Sequence, residues 1–250
     1  SAAPQSLPPH TAPASAPPLP SGDLEFFNGL GGFANDGWEY VVRLSAEQKT
    51  PQPWINVIAN PGFGFQVSAE GSTSTWCENS RENQLTPWSN DPVSDPSGEA
   101  FFVKDLESGA LWSPTAQPVR GMGDYEARHG WGYSRFTHEA NGIALDLLQY
   151  VPLDDPLKIS RLTLRNRSGR TRRLAVTAYA EWVLGTSREA SAPFIVTAID
   201  ATSGAMLARR PWGVGFPGRV AFADLGGRQT AWTGDRAEFL GRHGALGAPA

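Results

Sequence analysis

Alternating apolar and polar residues, separated by turn residues at hairpin spacing, are the feature that most constrains the fold of this chain. The alternation is clearest in residues 143–151 and 174–184, where apolar residues recur at alternate positions. A period of two is that of a β-strand with one buried face. The pair Asn141-Gly142, directly before the first run, favours a two-residue hairpin turn. We therefore predict a β-strand in each run, with a tight turn leading into the first.

Shorter runs of the same kind predict further strands along the chain. They are residues 38–44, 62–68, 100–104, 131–138, 157–165, 194–199, 205–209, 219–223 and 231–233. No amphipathic helix longer than two turns separates them, whereas parallel strands need a long crossover connection, usually a helix. So many strands at hairpin spacing are typical of an antiparallel sandwich. The predicted fold class is all-β.

Proline marks off the first part of the chain. The first twenty residues contain seven prolines, interspersed with Ala and Ser. Such a segment buries little apolar surface and is typical of an extended linker. We predict a linker over residues 1–22 and one β domain over residues 23–250. The start lacks Met and the basic and apolar regions of a signal peptide, and the end lacks a closing strand, so we expect a longer parent protein.

Composition excludes several classes of function. A net charge of -4 gives no electrostatic basis for binding nucleic acid. Cys77 is the only cysteine, which excludes an internal disulfide and fits a reducing compartment. No apolar run approaches the ~20 residues of a membrane-spanning helix, so we expect this fragment to be soluble. The nine tryptophans stand out, because Trp is used where a large flat contact area is needed.

Neither a metal site nor a catalytic group is predicted. On one regular strand His129 and His138 would face opposite sides, which argues against a shared metal ion. Trp131 and Tyr133 would share the face of His129 as part of the core. Cys77 has no His near it in sequence, and no Ser lies in a Gly-x-Ser-x-Gly motif. We assign no catalytic residue, no metal ligand and no cofactor.

The segment 76–92 is the best candidate for ligand binding, because it combines two tryptophans, amides, an arginine and carboxylates. Indole faces suit the C–H surface of a sugar, planar polar groups suit its vicinal hydroxyls, and such sites usually lie on loops. No spacing identifies an acid and a base for glycoside chemistry. Asp91 and Asp95, each before Pro, are explained as caps of turns. The predicted substrate-binding residues are Trp76, Asn79, Arg81, Glu82, Trp88 and Asn90.

Several longer motifs resemble one family. They are residues 26–33, 50–60, 63–68, 79–91, 130–136 and 181–185. These motifs are similar to the amino-terminal domain of glycoside hydrolase family 94, formerly glycosyltransferase family 36, which contains cellobiose, chitobiose and oligoglucan phosphorylases. The subgroup that they most resemble is the phosphorylase-like region of bacterial cyclic β-1,2-glucan synthases. The resemblance extends from about Leu24 to the end of the chain.

The resemblance implies a β-supersandwich akin to galactose-mutarotase-like folds, which in family members precedes an (α/α)6 barrel. There the barrel supplies the general-acid aspartate and binds the phosphate that attacks the anomeric carbon. The barrel is absent from this sequence, so no catalytic residue is carried over, and inorganic phosphate is implied only for the full-length enzyme. The segment 79–91 is the candidate for the rim of the active site or for a dimer contact.

The synthase subgroup implies a large protein of the bacterial inner membrane, with this region on the cytoplasmic side. The expected function is that of a domain, inactive alone, that supports a phosphorolysis or chain-length-control site. Its expected partners are a β-glucan oligosaccharide, the barrel of the same full-length chain and, as a further option, a second copy. An autonomous carbohydrate-binding module and a complete mutarotase or hydrolase remain alternatives. We also expect an exposed apolar patch where the barrel would dock.

Overall fold

The computed structural model describes residues 23–213 and 215–250, so the predicted linker over residues 1–22 lies outside the described residues. The described chain is almost entirely β, with two short helices, α1 (Arg188–Ser191) and α2 (Arg236–Leu240), and a 3-10 turn at Ala192–Phe194. Within this described part, neither helix has the length and apolar character needed to cross a membrane. The strands are β1 (Gly31–Ala34), β2 (Glu39–Leu44), β3 (Ile55–Asn60), β4 (Phe63–Ser68), β5 (Thr73–Cys77), β6 (Glu99–Asp105), β7 (Leu111–Trp112), β8 (Tyr125–Gly130), β9 (Tyr133–Ala140), β10 (Ile143–Tyr150), β11 (Ile159–Asn166), β12 (Leu174–Ala180), β13 (Val196–Ile199), β14 (Met206–Arg209) and β15 (Val220–Ala223).

The strands form one six-stranded sheet, called the large sheet below, and three three-stranded sheets. The large sheet has the order β1-β2-β8-β9-β10-β11. The small sheets have the orders β3-β4-β5, β12-β6-β7 and β13-β14-β15. Every pairing between these described strands is antiparallel, as the alternating sequence pattern predicts.

Two of the small sheets cover the inner face of the large sheet. Val42, Phe136 and Leu147 of the large sheet share one buried cluster with Phe65 and Val67 of β4. A second buried cluster joins the start of β10 to β6 and β7. The architecture is a sandwich of antiparallel sheets, and the described residues include no helical barrel. The predicted all-β fold is confirmed.

The clearest sequence pattern is confirmed at β10. Ile143, Leu145 and Leu147 are at most 2% exposed. The preceding Asn141 and Gly142 have φ values of 53° and 72°. Both are left-handed, as a type I′ turn requires at its two central positions, so the turn fixes the β9–β10 register.

The prediction for residues 174–184 is only partly correct. Strand β12 forms there, but Val176 and Ala178, on the face predicted to be buried, are exposed. β12 is the edge strand of its sheet. Alternation identifies the side chains that share a face, but it does not show whether another layer covers that face.

One predicted strand is wrong, and several real ones have no clear sequence signal. Residues 231–233 are irregular and lead into α2, whose N-cap is Asp235. The sequence analysis does not predict β1, β3, β5, β7 or β8. In β8 the hydrophobic signal is weak, because the inward-facing positions after Tyr125 carry the small Ala127 and the polar His129.

The placement of the histidines corrects the sequence analysis. The chain reverses at Trp131, so His129 and His138 lie on adjacent strands rather than on one. His129 pairs with Ser134 and His138 pairs with Tyr125, which directs both imidazoles to the inner face of the large sheet. The opposite-face prediction is therefore wrong.

The same turn changes the environment of the neighbouring aromatic residues. Tyr133 pairs with Gly130 and lies on the outer face, opposite to His129, where its hydroxyl donates to Glu39. Trp131 lies in the turn itself and is 75% exposed. The prediction that Trp131 and Tyr133 share the face of His129 in the core is wrong.

Candidate functional site

The middle of the segment 76–92 forms β-type backbone hydrogen bonds with its neighbours on both sides. Gln84 forms isolated β-bridges with both Trp76 and Gly185. The backbone N–H of Leu85 donates to the carbonyl of Thr75 at 2.8 Å and the N–H of Val183 to the carbonyl of Leu85 at 2.8 Å. The segment therefore joins β5 to the chain after β12, and only its two ends project as loops.

A buried ionic network centred on Glu99 anchors this segment to β5 and β6. Glu99 accepts hydrogen bonds from the hydroxyls of Thr75 at 2.5 Å and Thr86 at 2.7 Å, and its other oxygen pairs with the ammonium of Lys158. The Lys158 ammonium also lies 5.0 Å from the centre of the Phe65 ring. Burial opposes ionisation of Glu99, but the charge of Lys158 and the three donors outweigh it and lower its pKa. Glu99 is thus an ionised anchor rather than a proton donor.

Trp76 lies on the outer face of the β3-β4-β5 sheet. It pairs with Gly64, and a Cβ placed on Gly64 would come within 2.6 Å of the Trp76 ring, so the ring lies against bare backbone. Ile55 and Val57 are exposed on the same face. Sequence analysis missed this aliphatic pair, although the alternation in residues 54–60 was a usable signal.

Trp88 extends this face at the edge of the sheet. Its side chain is 54% exposed, and its backbone N–H donates to Oε1 of Gln84 at 3.2 Å. Beside it is an open concavity of about 20 Å³, which is room for about one water. The concavity is lined by Ile55, Gln66, Ser72, Thr73, Ser74, Pro87, Trp88, Ser89, Asp95 and Pro96. Below, the "Trp76–Trp88 face" means Trp76 and Trp88 together with Ile55, Val57 and Gln66.

The other four predicted binding residues lie in the projecting ends of the segment. Asn79 uses its side-chain carbonyl for a turn, accepting from the backbone N–H groups of Arg81 at 2.9 Å and Glu82 at 2.8 Å. The Arg81 and Glu82 side chains form an exposed ion pair of 3.5 Å. Asn90 is exposed, and its side chain has no hydrogen-bond partner among the described residues. The structure therefore brings Trp76 and Trp88 onto one face, whereas Asn79, Arg81, Glu82 and Asn90 lie at the margin of that face.

The carboxylates near the segment have structural roles. Asp91 caps a turn as predicted, and its hydrogen bonds from the hydroxyl and N–H of Ser94 lower its pKa. Asp95 instead accepts from the hydroxyl of Ser68 at 2.6 Å, and burial raises its pKa. Its predicted role as a turn cap is wrong, because it fastens the segment to β4. Burial also raises the pKa of the Cys77 thiol, which disfavours the nucleophilic thiolate.

The described residues define the class of the protein as an antiparallel β-sandwich domain, and comparison with known proteins gives its family. The model of the glycosyl hydrolase 94 supersandwich domain matches residues 38–250. The chain therefore belongs to the glycosyl hydrolase 94 supersandwich family, which confirms the resemblance found in its motifs.

Individual relatives support this assignment. The chain is 48% identical to the cyclic β-(1,2)-glucan synthase NdvB of Rhizobium meliloti over 232 residues, covering 92% of this chain and 8% of the relative. It is 28% identical to the N,N'-diacetylchitobiose phosphorylase of Vibrio furnissii, covering 61% and 19%. It is 30% identical to the solabiose phosphorylase of Paenibacillus borealis, covering 62% and 20%. The chain thus spans at most a fifth of the length of these relatives and corresponds to one domain of larger enzymes.

Proposed function

We propose that this chain is the accessory supersandwich domain of a β-glucan-processing enzyme, and that its Trp76–Trp88 face forms one wall of a saccharide site. The observation that carries the proposal is the openness of this face. It presents two indoles suited to a sugar, and the hydroxyl-bearing Ser72 and Ser89 line the adjoining concavity, yet that concavity of about 20 Å³ is far smaller than the ~300 Å³ or more of typical ligand pockets. A second wall is needed to enclose a sugar.

In this proposal the second wall and the catalytic groups belong to an (α/α)6 barrel of the same full-length chain. The outer face of the β13-β14-β15 sheet supports such a partner, since Val196, Leu207, Val220 and Phe222 share that face with the exposed Arg209, and three of these four apolar side chains are exposed. The opposite face carries the buried Ala208 and the partly buried side chains of the same strands. A sheet with apolar residues on both faces is typical of a layer that is covered on both sides.

The whole enzyme is then a cyclic β-1,2-glucan synthase or a glycoside phosphorylase, with inorganic phosphate as a reactant bound by the barrel rather than a cofactor of this domain. The resemblance of the motifs to the synthase subgroup implies a location on the cytoplasmic side of the bacterial inner membrane and a role in phosphorolysis or control of glucan chain length, and this part of the proposal rests on that resemblance. Asn79, Arg81, Glu82 and Asn90 would contact the sugar or the barrel at the rim.

Isothermal titration with β-1,2-gluco-oligosaccharides tests the saccharide wall. The isolated chain is expected to bind with a Kd on the order of millimolar, because one wall buries only part of the ligand. Trp88→Ala should weaken the signal, and Trp212→Ala, at another exposed indole, should preserve it. Binding that Trp88→Ala leaves unchanged would refute the assignment of this face.

A second candidate is an autonomous carbohydrate-binding module, favoured by the exposure of Trp88. It predicts micromolar affinity for the same oligosaccharides in the isolated chain, again lost in Trp88→Ala. A phosphorolysis assay tests the location of the chemistry. The isolated chain should release no glucose 1-phosphate, and release at enzyme-like rates would show that catalytic groups lie within it.

A further inference from the structure

A second pair of indoles lies at the tips of two neighbouring hairpins, away from the segment 76–92 in sequence. Trp38 ends the turn between β1 and β2, and Trp131 is in the turn between β8 and β9. The β2–β8 register pairs Glu39 with Gly130 and thereby brings the two tips together at one edge of the large sheet. Their ring centroids are 4.5 Å apart with planes inclined by 52°. Trp38 is 57% and Trp131 is 75% exposed, so both keep an open surface.

The base of this pair is a fixed polar cluster. The carboxylate of Glu39, which is almost fully buried, accepts from the hydroxyl of Tyr133 at 2.5 Å and from the side-chain amide of Asn35 at 2.6 Å. Arg128 completes the cluster with a contact of 3.0 Å to the same carboxylate. Asn35 belongs to the first turn and Tyr133 follows the second. One buried acceptor thus ties both tips together, which holds the indoles in place before any ligand arrives.

The surroundings indicate the class of ligand. The polar groups at the base of the pair are an amide, a carboxylate, an arginine and a phenol hydroxyl, which belong to Asn35, Glu39, Arg128 and Tyr133. Two rigid aromatic surfaces surrounded by donors and acceptors suit a ligand with apolar C–H faces and peripheral hydroxyls.

We propose that Trp38 and Trp131 form a stacking platform for a pyranose ring of an oligosaccharide. The platform is built from hairpins that the Trp76–Trp88 face does not use. That the ligand is a sugar follows from the platform itself, whereas its identification as a β-1,2-glucan rests on the proposed function. The two surfaces would contact different parts of a long glucan chain.

The indole N–H resonances of the 250-residue chain provide the test, recorded by NMR during titration with β-1,2-gluco-oligosaccharides and, separately, with cello-oligosaccharides. The Trp38 and Trp131 signals, assigned from the single variants, should shift in a saturable manner with at least one series. Trp38→Ala and Trp131→Ala should each weaken the affinity measured at the remaining indole by about tenfold, which is the effect of losing one aromatic contact. Trp38→Tyr and Trp131→Tyr keep a ring and should retain most of the binding.

Trp212→Ala is the matched control, because Trp212 is 67% exposed and also lies near another ring, with its centroid 6.3 Å from that of Phe194. Its removal should leave the shifts at Trp38 and Trp131 unchanged. No shift at either indole with both series would overturn the platform, whatever happens at Trp88. Conversely, binding that Trp88→Ala leaves unchanged and Trp131→Ala abolishes would support the platform and refute the Trp76–Trp88 wall.

Discussion

Replacement of Lys158 by Met offers the sharpest test of how the candidate segment is held. Met preserves most of the length of the side chain, but it removes the ammonium that pairs with Glu99 and lies over the Phe65 ring. The carboxylate would retain only the hydroxyls of Thr75 and Thr86. The perturbation is therefore electrostatic and leaves the core volume nearly unchanged.

The size of the effect follows from burial. The Glu99 and Lys158 side chains are 17% and 11% exposed, so the carboxylate of the variant would be a poorly solvated, unpaired charge. Removal of one partner from a buried pair costs about 3–5 kcal/mol. Because two hydroxyl donors remain, we expect a cost of about 3 kcal/mol at pH 7, at the lower end of that range. The cost should shrink as the pH falls, since the pKa of Glu99 rises without Lys158 and protonation then removes the unpaired charge.

Urea denaturation followed by tryptophan fluorescence measures this loss, and the double variant Lys158→Met/Glu99→Gln isolates its cause. The amide introduced by Glu99→Gln is neutral, so the double variant should recover about 2 kcal/mol of the loss. Hydrogen exchange should show faster exchange in residues 83–86 for the single variant than for the double one. A loss below about 1 kcal/mol, or a double variant no more stable than the single, would refute the assignment of Glu99 as a buried, ionised anchor.

Three further predictions concern other parts of the molecule. Burial lowers the pKa of His129 to about 4, so this imidazole stays neutral in the folded state while the unfolded chain binds a proton near pH 6.5. The unfolding free energy should therefore fall by up to about 3 kcal/mol between pH 6.5 and pH 4. Urea midpoints measured across this pH range should change less in His129→Gln than in the wild type. Gly71 has φ +100°, and a Cβ there would meet Thr115 at 2.3 Å, whereas Gly37 has φ +84° and open space around it. Gly71→Ala should therefore lower the unfolding free energy by about 2 kcal/mol more than Gly37→Ala. Equal decreases in melting temperature for the two variants would contradict this. The exposed apolar residues on the outer face of β13-β14-β15 should cause concentration-dependent association in analytical ultracentrifugation. Phe222→Lys should suppress this association. A wild-type chain that stays monomeric at all concentrations would count against an interface there.

The parts of the fold that sequence analysis predicted well depend on short-range features. The alternation in β10 and the Asn141-Gly142 turn need only a few consecutive residues, and both are confirmed. Strand β8 is not predicted, because Ala127 and His129 at its inward-facing positions give little hydrophobic signal, and the β2 residues that Glu126 and Arg128 pair with are more than 80 positions away. Burial of the outer face of β12 is wrongly predicted because it depends on a covering layer.

The candidate site, too, was predicted from the sequence only in part. Sequence analysis located Trp76 and Trp88 in one segment, but not Ile55, Val57 or the anchor formed by Glu99 and Lys158. Lys158 is 59 positions from Glu99, and no local pattern indicates that the two meet. The binding roles of the six predicted residues stay predictions for titration to test.

Residue types over short stretches or long motifs were enough to predict the strand period, the Asn141-Gly142 turn, the single thiol and the family. Which strands are neighbours, that His129 and His138 point to the same side, and that Trp38 meets Trp131 became visible only in the folded structure. The physical reason is that strand pairing joins residues far apart in the chain. A reversal of one strand at a two-residue turn changes the partners of every side chain on it.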